Sequence, residues 1–175
     1  FLLVVGLLFA VAPTRQAQAA SPVTTEAELI TALAGTDTTI ELGASFSLAD
    51  TVYVNRAVTI DGKGFTITGP TGSKHGVVVT ANGVTIQNLT ITGSGKTNLQ
   101  FYVVTGGVVN NVVLSNAGNA GMIVNGSSVT ISGVTTTNNA WGGINVDQGS
   151  GVTATAVCPG FTYSDSTTSW ATAST

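Results

Sequence analysis

A short apolar phrase recurs down this chain at nearly constant spacing. A Val-rich triplet begins at Val58, Val84, Gly107, Val129 and Val152, giving VTIDGKGFTITG, VTIQNLTITGSG, GVVNNVVLSNAG, VTISGVTTTNNA and VTATAV at steps of 26, 23, 22 and 23 residues. A regular step of this length is the mark of stacked repeats. Between the phrases lies a second apolar segment that ends in Gly or Ser, as in HGVVVTANG, QFYVVTG, AGMIVNGSS and GGINVDQGSG. Each repeat therefore holds about three short strands and no helical stretch, which is one coil of a β-solenoid.

The alternation inside a repeat assigns its faces. In VTIQNLTITG, Val84 and Ile86 point inward, the chain bends at Gln87-Asn88, and Leu89 and Ile91 point inward again, leaving Thr85, Thr90 and Thr92 outside. β-branched residues suit the pleat, while Asn and Gly suit the bend. Asn88 and Asn111 stand at the same place in successive repeats, and at strand spacing their amides are placed either to bond along the axis or to face solvent. Both are structural candidates. Thr25 to Leu33 reads as a helix: Thr25-x-x-Glu28 matches a capping box and Gly35 supplies a stop. With Ala27, Ile30 and Leu33 on one face, it would cover the N-terminal end of the coil, whose first turn otherwise exposes apolar side chains and strand edges.

The ends divide the chain into three. Phe1 to Ala12 is continuously apolar and Ala17-Gln18-Ala19 follows as a small-x-small pattern. The run is too short for the roughly 20 residues that cross a bilayer, so 1–19 reads as a secretory signal peptide whose initiator Met and basic n-region are missing. A buried strand or an uncleaved anchor is the other reading. Residues 20–159 form the solenoid domain, and 160–175 is a Ser/Thr-rich stretch read as a linker, a disordered end or the cut edge of a longer coil. Export fits the lone Cys158, which has no partner for an intrachain disulfide. Localisation is then extracellular or at the cell surface, with no stable membrane span once the signal is removed. The net charge of -3 offers no basic face for phosphates, which argues against nucleic acid as a partner.

The rung period, the NLTITG and GGINV phrases, the Asn bend and the capping helix together resemble the pectate-lyase-like right-handed parallel β-helix superfamily over roughly 24–156. The resemblance implies an all-β, right-handed parallel β-helix with three parallel sheets and an N-terminal capping helix. Enzymes of that group act on polysaccharides, the lyases with acidic Ca²⁺ ligands plus a basic residue and the hydrolases with clustered aspartates. Such chemistry needs several ionisable groups converging within a few ångströms.

Between Thr66 and Ser164 the formally charged side chains are Lys74, Lys96 and Asp147 alone. One carboxylate there provides no acid pair for glycoside hydrolysis and no acidic set for Ca²⁺. The catalytic candidates are accordingly weak: Asp147, in the NVDQG string that faintly echoes the NTDG phrase of polygalacturonase-like hydrolases, and Lys74 with His75, the only imidazole, for which Asp61 and Lys63 of DGKG are possible neighbours. DGKG also reads simply as a tight turn. No metal set and no cofactor is expected. Aromatic residues give the stronger signal. An exposed Trp141 or Tyr102 would stack on a sugar ring while Asn138, Asn139 and Gln148 bond its hydroxyls, whereas Phe101 is placed in the core. The outward VTI, TIT and TTT rows also raise a flat ice-binding or crystal-binding face, although Thr is the ordinary outward residue of a sheet with little charge. Asn88-Leu-Thr90 and Asn125-Gly-Ser127 match the glycosylation sequon. The function expected is an adhesive or structural module whose partner is a polysaccharide or cell-surface glycan, and the alternative is part of a polysaccharide lyase or glycoside hydrolase.

Overall fold

Neighbouring copies of the repeated phrase hydrogen-bond side by side in the computed structural model, which describes residues 21–147, 151–155, 163–165 and 173–174. Among the described residues a single helix, Glu26–Ala34 (α1), precedes the strands. The first turn holds Thr39–Glu41 (β1), Phe46–Ser47 (β2) and Val52–Val54 (β3), and the second Thr59–Asp61 (β4), Thr66–Thr68 (β5) and Val77–Val79 (β6). Thr85–Thr92 (β7) and Leu99–Tyr102 (β8) make the third turn, Gly107–Ser115 (β9) and Met122–Asn125 (β10) the fourth. Ser128–Ser132 (β11), Thr135–Thr137 (β12) and Ile144–Asp147 (β13) follow, then Gly151–Thr155 (β14), Tyr163–Asp165 (β15) and Ala173–Ser174 (β16).

Among the described residues every strand pairing is parallel, and the strands stack along three faces. The first face runs β1-β4-β7-β9-β11-β14-β16, the second joins β2, β5, the far halves of β7 and β9, and β12, and the third runs β3-β6-β8-β10-β13-β15. Because β7 and β9 run through the bend and pair on both sides of it, the first two faces are one folded sheet. The pairing of β15 with β13 and of β16 with β14 carries the stack into 160–175, at steps of 19 residues.

The repeat sets the register. Thr59 pairs with Thr85, Thr85 with Val108, Val129 with Gly107 and Val129 with Val152, so the recurring phrases lie directly above one another. Inward positions form apolar columns as a result: Ile40, Ile60, Ile86, Val109 and Ile131 under the first face, and Val54, Val79, Phe101, Val124 and Val146 under the third, all buried. One irregularity in the phrase has a packing cause. The third copy opens with Gly107 where the others have Val, and a Cβ there would lie 2.7 Å from the Phe101 ring, so the largest core side chain occupies the room a valine would have used.

The corners use left-handed backbone. Lys63, Asn88, Asn111 and Gly133 have φ near +50 to +59° at the first corner, and Gly93, Asn116 and Asn138 lie at φ +75, +56 and +56° at the second. Asn tolerates this region better than other side chains with a Cβ, which is why it alternates with Gly here. Asn111 Nδ2 donates to Asn88 Oδ1 at 3.0 Å, so the axial amide bond is formed. Asn138 Nδ2 and Asn116 Oδ1 make a second such step at 3.4 Å, which the sequence pattern did not single out.

The helix closes the N-terminal end as expected and buries Leu33 as expected, but it is rotated so that Leu29, not Ala27 and Ile30, accompanies it. Leu29 and Leu33, at i and i+4, are buried in the core, while Ala27 and Ile30 are exposed. Two leucines on one stripe bury more apolar surface than the Ala27-Ile30 side would, and that preference set the rotation. Thr25 Oγ1 caps the Glu28 N–H at 3.2 Å, but the Glu28 carboxylate accepts from Thr24 instead of closing the box on Thr25. Arg56 fastens the other end: its guanidinium donates to the carbonyls of Leu33 and Ala32, both at 2.9 Å, and of Asp37 at 2.7 Å. A cation on the last carbonyls also complements the helix dipole.

Candidate functional site

The turn DGKG carries the most completely bonded carboxylate among the described residues. Asp61 Oδ1 accepts from the Lys63 N–H at 3.0 Å and from Asn88 Nδ2 at 3.1 Å, and Oδ2 accepts from Gln87 Nε2 at 3.1 Å. Lys63 Nζ lies 2.8 Å from Glu41 Oε1 and 3.5 Å from Asp61 Oδ2. Burial pushes the Asp61 pKa up, but the Lys63 N–H, the two amides and the Lys63 ammonium together outweigh it and hold the carboxyl below its ordinary value. A depressed carboxylate pKa stabilises the fold above the unfolded-state pKa, and that stability is lost as pH falls through the folded value. Asp61→Asn is therefore expected to lower stability at neutral pH and to flatten its decline below about pH 4 in urea titrations. Equal slopes for parent and variant would assign the acid loss to other carboxylates. This corner is an anchor of the amide ladder: Asp61 accepts from Asn88, which accepts from Asn111.

The ionisable candidates do not converge. Lys63 and Asp61 stand at the first corner, and β5 separates them from Lys74 and His75, so the two pairs are not neighbours, contrary to the sequence expectation. Lys74 Nζ is held by Asp50 Oδ2 at 3.0 Å and the Ala49 carbonyl at 3.1 Å, a clip between adjacent turns. His75 is half-buried. Its desolvation, followed by the Lys96 cation, lowers its pKa, and its Nδ1 faces no protein hydrogen-bond partner. Asp147 ends β13, at the far side of the third face from His75 and several turns along the axis. Among the described residues no group of three His, Cys, Asp or Glu side chains gathers as a metal site, and no helix is long and apolar enough to cross a membrane.

The binding candidates cluster more closely, on the outside of the third face. Tyr102, 50 % exposed, pairs in register with Asn125, and Asn125 with Asp147, forming one outward row across three turns. Two residues earlier along the strands lies a second outward row of Tyr53, Val78, Gln100, Ile123 and Asn145. Tyr53, 59 % exposed, was missed by sequence reading, although the alternation in VYV places it outside. Trp141 is 62 % exposed in the turn before β13. Its N–H bonds to the Asn119 carbonyl, whose own N–H bonds to that of Lys96, so Trp141 tops a column that begins at Lys74. Six residues separate Trp141 from the level of Tyr102, up to about 20 Å along the strand direction, so the two rings occupy opposite margins of one face.

The amide candidates divide. Asn139 spends its side chain inside the coil, accepting from the Ala117 N–H at 3.0 Å and donating to the Leu114 carbonyl at 3.1 Å. Asn138 is exposed and belongs to the second ladder. Gln148 and Cys158 lie outside the described residues. Phe101 is fully buried, as expected. Of the two sequons, Asn88 has its amide engaged on both sides by ladder bonds, and the Ser127 hydroxyl of the second donates to the Asn125 carbonyl at 2.8 Å.

No curated protein and no solved structure matches the chain. Residues 75–157 do match the family described as the right handed beta helix region, a stretch that begins at the lead-in to β6 and takes in the turns through β14. That match supplies the hand that strand pairing leaves open, and the chain is thus a right-handed parallel β-helix closed at its N-terminal end by a short helix.

Proposed function

We propose that this β-helix is an exported or surface-displayed module that binds carbohydrate on its third face without transforming it. The observation that carries the reading is the exposed Tyr102 ring set in outward rows with Gln100 and Asn125, and with Tyr53 on the same face. An aromatic ring supplies an apolar platform for the C–H face of a sugar, and neighbouring amides supply donors and acceptors for its hydroxyls. Trp141 gives a second platform at the margin of that face. Parallel strands repeat these positions about every 4.8 Å along the axis, so the rows run in the direction a linear polysaccharide would take. The lyase or hydrolase alternative finds less support, because Lys74 and His75 stand across the face from Asp147.

Affinity electrophoresis through soluble plant and microbial polysaccharides tests the reading. The parent is expected to be retarded by at least one of them. Tyr102→Ala and Trp141→Ala should each weaken that binding about five- to tenfold, as for the loss of one stacked ring, with unchanged melting temperature. Migration unaffected by every polysaccharide would remove the proposal. Accumulation of an unsaturated, ultraviolet-absorbing product would replace it with the lyase reading.

A further inference from the structure

The second face is built unlike the third. Its outward positions pair across every turn: Thr66 with Thr90, Thr90 with Val113 and Val113 with Thr135 in one row, and Ser47, Thr68, Thr92, Ser115 and Thr137 in the other. Each of these positions except Val113 carries a hydroxyl and none carries a charge; Ser115 is buried, so the fourth turn contributes the Val113 methyls and no open hydroxyl. The inward residues between the rows, Ile67, Ile91, Leu114 and Thr136, are buried. Left-handed residues bend the chain at both edges, Asn88 and Asn111 on one side and Asn116 and Asn138 on the other, with amide bonds linking successive turns along each edge. The result is a strip of mostly threonine side chains whose positions repeat at about 4.8 Å from turn to turn and at about 6.6 Å along each strand.

We propose that this face binds ice. A surface with two fixed repeats selects a partner that is itself periodic in two directions, and a single glycan chain would engage only one row. The turn-to-turn spacing lies close to one repeat of oxygen positions on a face of crystalline ice. Threonine suits such a partner because its hydroxyl hydrogen-bonds a lattice water while its methyl fills the gap between waters. The lack of charge matters equally, since an ionised side chain would orient its hydration shell around itself and break the lattice. Ser115 Oγ donates to Thr92 Oγ1 at 2.9 Å, and Asn116 Nδ2 donates to the same oxygen at 3.0 Å, so the Thr92 hydroxyl is held in position by its neighbours in the strip and at its edge. The first face does not offer the same surface, because Glu41 and Asp61 stand in its outward row. This inference uses a different face from the proposed carbohydrate site and stands independently of it.

The test is thermal hysteresis and crystal shape in a nanolitre osmometer, together with uptake of the purified protein into a slowly grown ice hemisphere. The parent is expected to shape the crystal and enter the ice. Thr90→Tyr, in the middle of the strip, should cut hysteresis at least fivefold, and Thr130→Tyr, outward on the first face, should leave it unchanged. Tyrosine is at home on a strand, and circular dichroism with melting verifies the fold of each variant. Should Thr90→Tyr unfold, Thr135→Tyr, at the end of the same row, gives the same reading. Unshaped crystals and exclusion from ice would overturn the proposal, as would equal losses in the second-face and first-face variants. Binding to microcrystalline cellulose or chitin with no effect on ice would overturn it in favour of a solid saccharide.

Discussion

Ile131→Asp is expected to unfold the coil or lower its melting temperature more than any other single substitution named here. Ile131 is fully buried and stands in the column of Ile40, Ile60, Ile86 and Val109. The change removes a branched aliphatic group from a packed column and inserts a carboxyl with no partner in its place. Loss of the aliphatic group and burial of an unpaired acid together cost on the order of 5 kcal/mol. Single domains have about 5 to 15 kcal/mol in all, so little would remain. The damage spreads because each turn is shielded from water only by its neighbours. Urea denaturation of Ile131→Asp beside Ile131→Val measures it: the valine variant should lose about 1 kcal/mol. An aspartate variant with the midpoint of the parent would mean that the side chain does not face the core.

Gly95→Val is expected to follow closely, at about 3 kcal/mol or more, for a reason that has nothing to do with turn formation. Gly72, Gly95 and Gly118 stand at steps of 23 residues along the second corner. A Cβ on Gly95 would run into the carbonyl oxygen of Gly72, and one on Gly118 would run into that of Gly95. Gly95 has no left-handed backbone, so the requirement is room between successive backbones. Those turns are tied by the bonds from the Gly95 N–H to the Pro70 carbonyl and from the Gly118 N–H to the Ser94 carbonyl, and a side chain would have to part them. Chemical denaturation of Gly95→Val beside Gly64→Val separates the two uses of glycine. Gly64, at φ +84° with open space around its Cβ position, should lose less, through backbone strain alone. Equal losses would show that the close approach between turns carries no special cost.

The features legible in the sequence are those that depend on spacing along the chain. The step between phrases set the strand register, and alternation within VTIQNLTIT named the buried residues. The shared position of Asn88 and Asn111 was legible because the same residue recurs at the same place, while the choice between an axial bond and solvent was not. The Asn116-Asn138 ladder was not, since its preceding turn has Gly93 and the identity of the residue changes while the backbone shape does not. Helix α1 was legible from its cap, but its rotation was not. Ala27 and Ile30 satisfy the same periodicity as Leu29 and Leu33, and the position of the open coil end decided between them. The glycine column was hidden because composition suggests turns wherever Gly is plentiful. Site geometry was the least legible part. Tyr102 and Trp141 were found as exposed rings, yet only lateral register shows that they occupy two margins of one face while Asn139 is spent on the backbone.

The first corner also shows how such a molecule can vary. From Asp61 to Thr66 the chain takes two residues more than from Gln87 to Thr90, the next passage around the same bend, and still returns to register with Ile67 opposite Ile91. The surplus is lodged in the Lys63-Gly64 protrusion, outside the apolar columns, so those columns are indifferent to it. A vertex of the triangle thus works as an expansion joint, where extra length can be inserted and elaborated into a longer arm while the interior keeps its count.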